Sequence, residues 1–285
     1  MPAAGALKAT YPECEVVWVV DKRFAGVVNC CQHINTVLLR GEPVLGEFEA
    51  AFDLQGLLKS ASILRGIRAK HKLGYHWQRE GASFFSSQVL PDPSSFHIVD
   101  QYVDVVRVLC PKAETADFGL SPRDQDVASL ASKFDLKQPY VVLNPGAGWI
   151  SKRWPPAHFA QLADWLTDQG ITPVAIGGNG VEDLAGFDEV QSRAQAPIVK
   201  MTGSTSVPEL IALISRAKAH VGGDTGSTHI AAALGTSAVG LYSITRPQRS
   251  CPYSQIDNCL YDTRGLEHIS SESVIAVLER ELSRP

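Results

Sequence analysis

The sequence predicts an α/β fold with two Rossmann-like domains built on parallel sheets. Short apolar runs with strand character alternate with amphipathic stretches of helix length through most of the chain, a pattern typical of parallel sheets covered by helices. Several of these runs end in glycine-rich turns that lead into a helix, as in doubly wound sheets. The length of 285 residues suits roughly two domains of about 140 residues each.

Composition excludes several other classes of protein. With 45% hydrophobic residues and a net charge of −4, the chain is not expected to be disordered. Apolar runs such as residues 16–20 are far shorter than the ~20 residues of a membrane-spanning helix. The slightly acidic balance also argues against broad nucleic-acid binding, which normally needs a strongly basic face.

The six cysteines show neither a C-x-x-C pair nor zinc-like spacing, so a reduced compartment is expected. The adjacent Cys30 and Cys31 are interpreted as two half-buried thiols rather than a redox site. No basic and apolar leader precedes Ala3, which predicts a cytoplasmic chain.

The elements of the first half follow in chain order. Pro2 suits the first turn of a helix over residues 2–11. Strands are expected at residues 15–20, 36–39 and 51–53, and helices at 57–69 and 98–109. Residues 111–123 mix Pro, Gly, Ala and charge without periodicity and are predicted to link the domains.

The second half predicts a complete βαβ series. Strands are expected at residues 140–144, 172–176, 198–200, 219–221 and 238–242, and helices at 156–169, 181–194, 207–217 and 227–234. The domains expected are 1–115, a linker and leading helix at 116–138, a C-terminal domain at 139–270, and a C-terminal helix at 271–285. Two such domains would leave a ligand cleft between the carboxyl ends of their strands.

The beginning of the first domain departs from this plan. A doubly wound domain normally opens with a strand and a turn, whereas here a helix comes first. A sheet without its central strand would carry unpaired edges on both sides of the gap. Either the first domain has been rebuilt, or ~10–20 residues of strand and turn are missing; we favour the second interpretation.

The sharpest candidate site is the segment from Val221 to Gly235. A strand ends in small residues and enters an Ala-rich helix, so that a ligand could approach the main chain at Gly226 and the free N–H groups of the helix. This arrangement suits a diphosphate, and His229 lies about one turn into the helix. The alternative is an ordinary βα turn in which Asp224 or Thr225 caps the helix.

A second glycine-rich loop, residues 143–155, carries Lys152 and Arg153 just before a helix. Two cations are unfavourable at the positive end of a helix dipole, so a bound anion would explain them. The spacing does not match a Walker loop, and a solvated basic turn remains the alternative. A third loop, residues 177–183, places Glu182 in the first turn of a helix, where it either complements the dipole or holds a ribose diol.

A basic stretch in the first half suggests an anionic partner for that domain. Six cations fall within 21 residues with no acid between them: Lys59, Arg65, Arg68, Lys70, Lys72 and Arg79. A solvated helix face is the alternative. The acids of Asp124-Gln125-Asp126 open a predicted helix, where carboxylates belong for dipole reasons, so a metal role there is not favoured.

Together these segments resemble glycosyltransferase family nine, the bacterial heptosyltransferases of lipopolysaccharide core synthesis, and the heptosyltransferase I type in particular. The resemblance covers nearly the whole chain. The segments that carry it include Asp53-Leu54-Gln55-Gly56-Leu57-Leu58-Lys59, Lys152-Arg153-Trp154-Pro155, Asp224-Thr225-Gly226-Ser227-Thr228-His229 and Gly240-Leu241-Tyr242.

The resemblance implies a GT-B fold, with two Rossmann-like domains whose parallel sheets face each other across a cleft. It implies inverting, metal-independent transfer of heptose from ADP-heptose, held mainly by the second domain, to a Kdo sugar on lipid A. No cofactor is implied. A cytoplasmic enzyme acting on lipid A would meet it peripherally at the inner face of the inner membrane.

The resemblance also assigns donor-binding residues. Lys152 would neutralise the leaving diphosphate, the Thr225-Gly226 backbone would cradle it, and Glu182 would contact the nucleoside. Asp224 and His229 match positions near the diphosphate and sugar. Ala147 and Gly148 stand where some relatives carry hydroxyls and could offer only their backbone.

The acceptor side is less defined. The basic stretch provides the candidates Lys59, Arg65, Arg68 and Arg79. The family's presumed general base is an Asp in a Gly-Asp turn near the start, and no residue of this sequence matches it. The catalytic base is therefore left unassigned and little transfer is expected; if the chain is active, Asp53 or Asp21 is the first alternative to test.

Other functions remain open at this stage. A catalytically silent nucleotide-sugar-binding protein would use the same second-domain motifs without a base. A nucleotide-sugar epimerase of the same fold is a further alternative, while a periplasmic binding protein is disfavoured by the diphosphate-type loops.

Overall fold

The computed structural model describes residues 1–114, 117–135, 137–146 and 153–284, and its chain divides into two compact units, Met1–Leu120 and Ser121–Pro285. All strand pairs in both units are parallel. The predicted α/β class with parallel sheets is confirmed.

The first unit contains five strands and four helices. In chain order they are α1 Pro2–Thr10, β1 Val17–Val20, α2 Ala25–Val28, β2 Thr36–Leu39, β3 Glu47–Asp53, α3 Leu58–Gly66, β4 Arg68–Tyr75, β5 Ser87–Val89 and α4 Ile98–Arg107. The strands form two separate sheets, β1–β2 and β3–β4–β5. The expectation that a central strand is missing stays a prediction.

Helix α1 packs on α4 through small side chains. Ala3 and Ala6 are buried against Val103 and Val106, and alanine lets two helix backbones approach closely because it adds little bulk. Cys30 and Cys31 are both buried, with 3% and 5% exposed. The expectation of half-buried thiols was therefore wrong: the segment that ends the first unit passes beside Cys31, whose Sγ donates to the carbonyl oxygen of Phe118 at 3.4 Å and whose backbone forms a bridge with Leu120.

The predicted helix over residues 57–69 is also shorter than expected. It ends at Gly66, and the chain continues as β4, which the sequence analysis missed. Its cations Arg68, Lys70 and Lys72 recur at every second residue, which is the period of a strand rather than of a helix. In the structure they lie on β4 opposite β3: Arg68 pairs in register with Glu47, and Lys70 Nζ lies 2.7 Å from Glu49 Oε2. These pairs are largely exposed and each contributes little stability.

The second unit contains one continuous sheet of six strands. In chain order the elements are α5 Asp124–Ala131, β6 Tyr140–Asn144, α6 Pro156–Asp168, β7 Thr172–Ala175, α7 Val181–Arg193, β8 Val199–Lys200, α8 Val207–Arg216, β9 Ala219–Gly223, α9 Gly226–Ala233, β10 Ser237–Tyr242, α10 Pro247–Ser250, β11 Cys259–Tyr261 and α11 Ser271–Leu282. The strand order is β11-β10-β9-β6-β7-β8.

This sheet is buried on both faces. Along β6, Val141 and Leu143 pack into a core with α6, α7 and α11. Tyr140 and Val142 point to the other face and pack with α8 and α9. Successive side chains of a strand alternate between faces, so a strand covered on both sides must be apolar throughout. That requirement explains why β6, β7, β9 and β10 were predicted within one or two residues, whereas the edge strand β11, which is half-buried to exposed, was not predicted.

A buried carboxylate ties α5 to the start of α8. Glu209 forms a capping box with Ser206, and its Oε1 accepts hydrogen bonds from Lys133 Nζ at 2.6 Å and Ser129 Oγ at 2.7 Å. Burial alone would raise the pKa of Glu209, but these hydrogen bonds outweigh it and lower the pKa to about 2. The first turn of α8 is thereby held in place at the edge of the site described next.

Candidate nucleotide-sugar site

A cavity of about 600 Å³ opens at the carboxyl ends of β6, β7 and β9 in the second unit. Ligands of open α/β sheets bind at this edge because the strand-to-helix turns meet there. Its lining includes Asn144, Gly177, Glu182, Leu210, Thr225 and Gly226. The three glycine-rich turns singled out in the sequence therefore converge on one cavity as far as the structure describes them.

The amino terminus of α9 lines this cavity with Thr225, Gly226 and Ser227. Thr225 stands at the N-cap position, but its side chain makes no capping hydrogen bond. The first N–H groups of a helix have no acceptor within the helix, and they carry the positive end of its dipole. Thr225 therefore takes the N-cap position that the alternative interpretation expected, but its side chain does not cap the helix. An anion is the natural partner for such amides.

The hydroxyls that could cap α9 are engaged with one another. Thr225 Oγ1 lies 3.1 Å from Ser227 Oγ and 3.3 Å from Thr228 Oγ1. Thr228 Oγ1 donates to the carbonyl oxygen of Gly223 at 2.6 Å. Within the described residues, none of these hydroxyls is therefore used to cap the first backbone amides of the helix.

Glu182 lies at the opening turn of α7 on the cavity wall. Its Oε2 accepts a hydrogen bond from Arg153 at 2.7 Å, and 76% of its side chain is exposed. Arg153 thus pairs with a carboxylate of the protein itself, whereas the sequence suggested a bound anionic ligand.

Asp183 explains two of the glycines in these turns. A Cβ at Gly146 would lie 2.6 Å from Asp183 Oδ1, and one at Gly178 would lie 2.7 Å from Asp183 Oδ2. A larger residue at either position would require the Asp183 carboxylate to move. The role of Asp183 as a packing centre was not apparent from the sequence.

Asp224 and His229 form a pair beside the α9 terminus. His229 Nε2 lies 3.1 Å from Asp224 Oδ1, and the His229 side chain is 42% exposed while that of Asp224 is 17% exposed. The carboxylate orients the imidazole across one helical turn. Three other predicted donor residues, Ala147, Gly148 and Lys152, lie outside the described residues.

Beneath this terminus lies a histidine that the sequence analysis missed. His220, in β9, is 0% exposed, and its Nε2 lies 3.0 Å from Ser227 Oγ. Burial lowers the pKa of His220 to about 3, with a further contribution from the charge of His229. The ring is therefore neutral at neutral pH. No sequence signal pointed to it, since an isolated His in an apolar strand has no recognisable partner.

The acceptor candidates lie on the first unit and do not form one uniform surface. The guanidinium of Arg65 lies 5.8 Å from the ring centre of Phe85, and that of Arg79 lies 4.7 Å from that of Trp77. Lys59 is exposed on α3. Arg68, by contrast, faces Glu47 at 4.0 Å, so β3 partly neutralises the basic stretch.

The two carboxylates named as alternative bases are both engaged. Asp53 is 5% exposed, and its Oδ1 accepts the backbone N–H groups of Gln55 and Gly56, each at 3.0 Å. Asp21 pairs with Arg23 at 3.0 Å. The side-chain and backbone hydrogen bonds from Arg23 hold the pKa of Asp21 below its usual range. Neither environment favours proton abstraction.

The described part of the chain contains neither a metal-holding cluster of side chains nor a membrane-spanning helix. No group of three or more His, Cys, Asp or Glu side chains in it is placed to hold a metal ion. Asp126 instead pairs with Arg123 at 2.6 Å at the start of α5. Nor does this part contain a helix both long and apolar enough to cross a bilayer.

The comparisons with known proteins agree with this geometry. The chain is similar to the lipopolysaccharide core heptosyltransferase OpsX of Haemophilus influenzae, with 26% identity over 265 residues, 87% of this chain and 76% of that protein. Its fold is similar to a family 9 glycosyl transferase of Veillonella parvula, with a TM-score of 0.85, 18% identity and coverage of 99% and 92% of the two chains.

A second solved structure is similar in fold, the ADP-heptose lipopolysaccharide heptosyltransferase II of Escherichia coli. The TM-score is 0.80 at 22% identity, with 99% of this chain and 93% of that chain covered. The model of glycosyltransferase family 9 (heptosyltransferase) matches residues 43–274, which include β3 to β5 of the first unit and the whole cavity of the second. The chain is a glycosyltransferase and belongs to glycosyltransferase family 9, the heptosyltransferases.

Proposed function

We propose that this protein transfers a heptose from ADP-heptose to a Kdo and lipid A acceptor in the synthesis of the lipopolysaccharide inner core. The observation that carries the proposal is the uncapped amino terminus of α9, which presents free amides to a cavity of nucleotide size. Relatives support the donor: a structure of E. coli WaaC, similar in fold with a TM-score of 0.74, contains ADP-2-deoxy-2-fluoro heptose.

The donor would lie across the three turns of the second unit. Its diphosphate would accept hydrogen bonds from the α9 amides, with Lys152 and Arg153 balancing the charge. Glu182 would accept hydrogen bonds from the ribose diol, and the nucleobase of the donor would lie against Leu210 at the start of α8. Asp224 and His229 would face the diphosphate and sugar.

The reaction would be a single displacement with inversion. A general base, for which no residue of this chain is assigned, would remove the proton of the acceptor hydroxyl, which attacks the anomeric carbon from the face opposite ADP. The negative charge that develops on the leaving diphosphate would be stabilised by fixed amides and by Lys152, so the proposed transfer is metal-independent. Because Asp53 and Asp21 are engaged in the first unit, neither is proposed as the base.

The acceptor would bind the first unit near α3, in peripheral contact with the inner face of the inner membrane. Lys59, Arg65 and Arg79 are exposed there, and Phe84 is 87% exposed. Cations with exposed aromatic rings suit a surface that carries phosphates and carboxylates above apolar chains.

The donor proposal is tested by calorimetry with ADP on the wild type and on Lys152→Ala. Loss of one charge-assisted contact to the diphosphate should weaken binding by about 1.5–3 kcal/mol. Lys200→Ala is the matched control, because Lys200 pairs with Asp188 at 2.9 Å away from the cavity. Equal ADP affinity in both variants would remove Lys152 from the site, and a preference for UDP over ADP would count against ADP-heptose.

The acceptor proposal is tested by neutralising Arg65, Arg68 and Arg79 together. We expect a higher KM for the acceptor, a flatter salt dependence and unchanged ADP affinity. A control triple variant at Arg23, Arg193 and Arg264, all exposed, should leave the acceptor KM unchanged. Unaltered acceptor kinetics in the first variant would make the basic stretch a solvated surface. Donor binding with no transfer of labelled heptose would instead leave a nucleotide-sugar-binding protein.

A further inference from the structure

A row of buried polar groups lies under the α9 terminus in the second unit. His220 stands between Val142 of β6 and Ala238 of β10, its register partners in the sheet. Both neighbours are apolar and fully buried. A polar ring in such a place costs stability unless it is hydrogen-bonded, and His220 has one hydrogen-bond partner in the described structure, Ser227.

The direction of the hydrogen bonds in this row can be deduced from its two ends. At one end, Asn144 Oδ1 accepts the backbone N–H of Gly146 at 3.1 Å, which fixes the orientation of the amide. Asn144 Nδ2 can then only donate, and it lies 3.1 Å from Thr225 Oγ1 and 2.8 Å from Ser227 Oγ. Each hydroxyl therefore receives one hydrogen from Asn144.

At the other end, the carbonyl oxygen of Gly223 can only accept, so Thr228 gives its hydroxyl hydrogen to that oxygen. Thr225 must then donate to Thr228, and Ser227 must donate to Thr225, because each hydroxyl has a single hydrogen. Ser227 has no hydrogen left for the imidazole. The bond between His220 and Ser227 therefore requires a hydrogen on His220 Nε2.

This assignment satisfies every lone pair of the two central hydroxyls. Ser227 Oγ accepts from Asn144 and His220, and Thr225 Oγ1 accepts from Asn144 and Ser227. The same assignment leaves Nδ1 of His220 without a hydrogen, so that it can only accept. Within the described residues that atom is buried without a hydrogen-bond partner. Neither hydroxyl retains a lone pair with which to cap α9.

We propose that His220 is a positioning residue for the donor diphosphate: its Nε2–H fills the last lone pair of Ser227, and the resulting chain of hydroxyls keeps the α9 amides free for the ligand. The inference rests on the proposed donor site. Without the imidazole, Ser227 can turn its hydroxyl away from Thr225, and a freed lone pair can accept a helix N–H in competition with the diphosphate.

The backbone around His220 is shaped to admit the ring. A Cβ at Gly222 would lie 3.0 Å from His220 Cε1 and 3.1 Å from the Cβ of Asn144. The low pKa of His220, about 3, keeps the ring neutral, so a hydrogen on Nε2 leaves none on Nδ1.

The positioning role and a merely structural role predict opposite combinations of binding and stability. His220→Leu keeps much of the volume, removes the unpartnered Nδ1 and removes the Nε2–H. We expect an unchanged or higher Tm, because a buried polar atom without a partner is destabilising. ADP binding should nevertheless weaken about five- to tenfold, the change expected from one lost buried hydrogen bond.

Matched variants separate the contributions. His220→Gln, whose amide can donate near the position of Nε2, should restore ADP affinity to within about twofold of the wild type. Ser227→Ala should weaken ADP binding as His220→Leu does, and the double variant should be no weaker than either single variant because both break the same chain. His158→Leu is the control: His158 also has an unpartnered buried Nδ1 in the described structure but lies in α6, away from the cavity.

The experiment measures ADP and pyrophosphate binding by calorimetry, Tm, and the ring nitrogens of His220 by ¹⁵N NMR in the ligand-free protein. The expected results are an Nε2–H tautomer and selective loss of affinity in His220→Leu and Ser227→Ala. An Nδ1–H tautomer would overturn the inference, as would wild-type affinity for both ligands in His220→Leu. If the wild type binds pyrophosphate but not ADP, the proposed donor fails while the inference is still tested on the anion.

Discussion

Both units of this protein are built on parallel strands, but the strands are buried to different degrees. The second unit has one six-stranded sheet whose central strands β6 and β9 are almost entirely buried. The first unit has two small sheets, and every residue of β1 is only half-buried. A parallel strand is stable when both its faces and both its edges are covered. The comparison indicates that the second unit is the more stable and holds the cavity rigidly.

The sequences of the strands show the same difference. The strand β6 reads Tyr-Val-Val-Leu-Asn, whereas β3 begins Glu-Phe-Glu and β4 begins Arg-Ala-Lys. Alternating charges leave one face of β3 and β4 in water at that end. The first unit therefore gains less from apolar burial per strand, at about 25 cal/mol per Å², and depends more on the packing of α1 against α4.

The largest expected effect concerns hydrogen exchange. Amides of Tyr140–Asn144 should exchange at least about 10²-fold more slowly than those of Val17–Val20, a difference of about 3 kcal/mol in opening free energy. Amides of Ala219–Gly223 serve as the internal control and should match Tyr140–Asn144. Equal protection in β1 and β6 would break the comparison between the units.

The next effect is on unfolding by urea, with one leucine from each unit. Leu143→Ala removes a side chain that is 1% exposed and should cost about 2–5 kcal/mol. Leu38→Ala, in the half-buried strand β2, should cost about 1 kcal/mol. A Leu38→Ala variant as damaging as Leu143→Ala would show that the first unit has a well-packed core after all.

A third effect is confined to the second unit and depends on pH. The ring of His220 takes a proton at a pKa of about 6.5 when unfolded but at about 3 when folded. The unfolded state therefore binds a proton that the folded state does not, and stability falls as the pH decreases from 6.5 toward 3.

The expected slope is at most about 1.4 kcal/mol per pH unit. Urea unfolding between pH 6.5 and 5 measures it, because Glu209, whose pKa is about 2 when folded, contributes only below pH 4.5. His220→Leu should flatten the profile in this range. An identical profile in the variant would mean that the folded ring titrates normally.

The smallest expected effect is at the surface of the first unit. Lys70→Ala breaks an ion pair with Glu49 whose side chains are 72% and 67% exposed. Solvent screens such pairs, so the urea midpoint should not change measurably. A clear loss of stability would mean that the charges, rather than the apolar faces, hold β3 and β4 together.

The limits of sequence-based prediction differ between the units for the same reason. Strands of the second unit were predicted well because complete burial makes them apolar along their length. The strand β4 was missed because the basic stretch was interpreted as a possible helix face, although its cations alternate with the period of a strand. In the structure its charged face lies opposite Glu47 and Glu49 of β3.

The candidate site shows the same division. Thr225, Gly226 and Glu182 were predicted, because a glycine-rich turn between a strand and a helix carries its own signal in consecutive residues. It was not predicted that Asp53 accepts a backbone hydrogen bond from its own loop, or that the Asp183 carboxylate lies beside two glycine-rich turns. Each depends on the path of the backbone around the carboxylate.

The sequence by itself determined the α/β class, the order of helices and strands in the second unit and the location of its glycine-rich turns, since these follow from local periodicity and conformational preference. Only the tertiary structure decided that Asn144, Ser227 and His220 meet. They come from β6, α9 and β9, and they are brought together because β6 and β9 are neighbours in the sheet although some 75 residues separate them along the chain. Hydrogen-bond direction at the proposed diphosphate site therefore depends on sheet order, a property that no local segment carries.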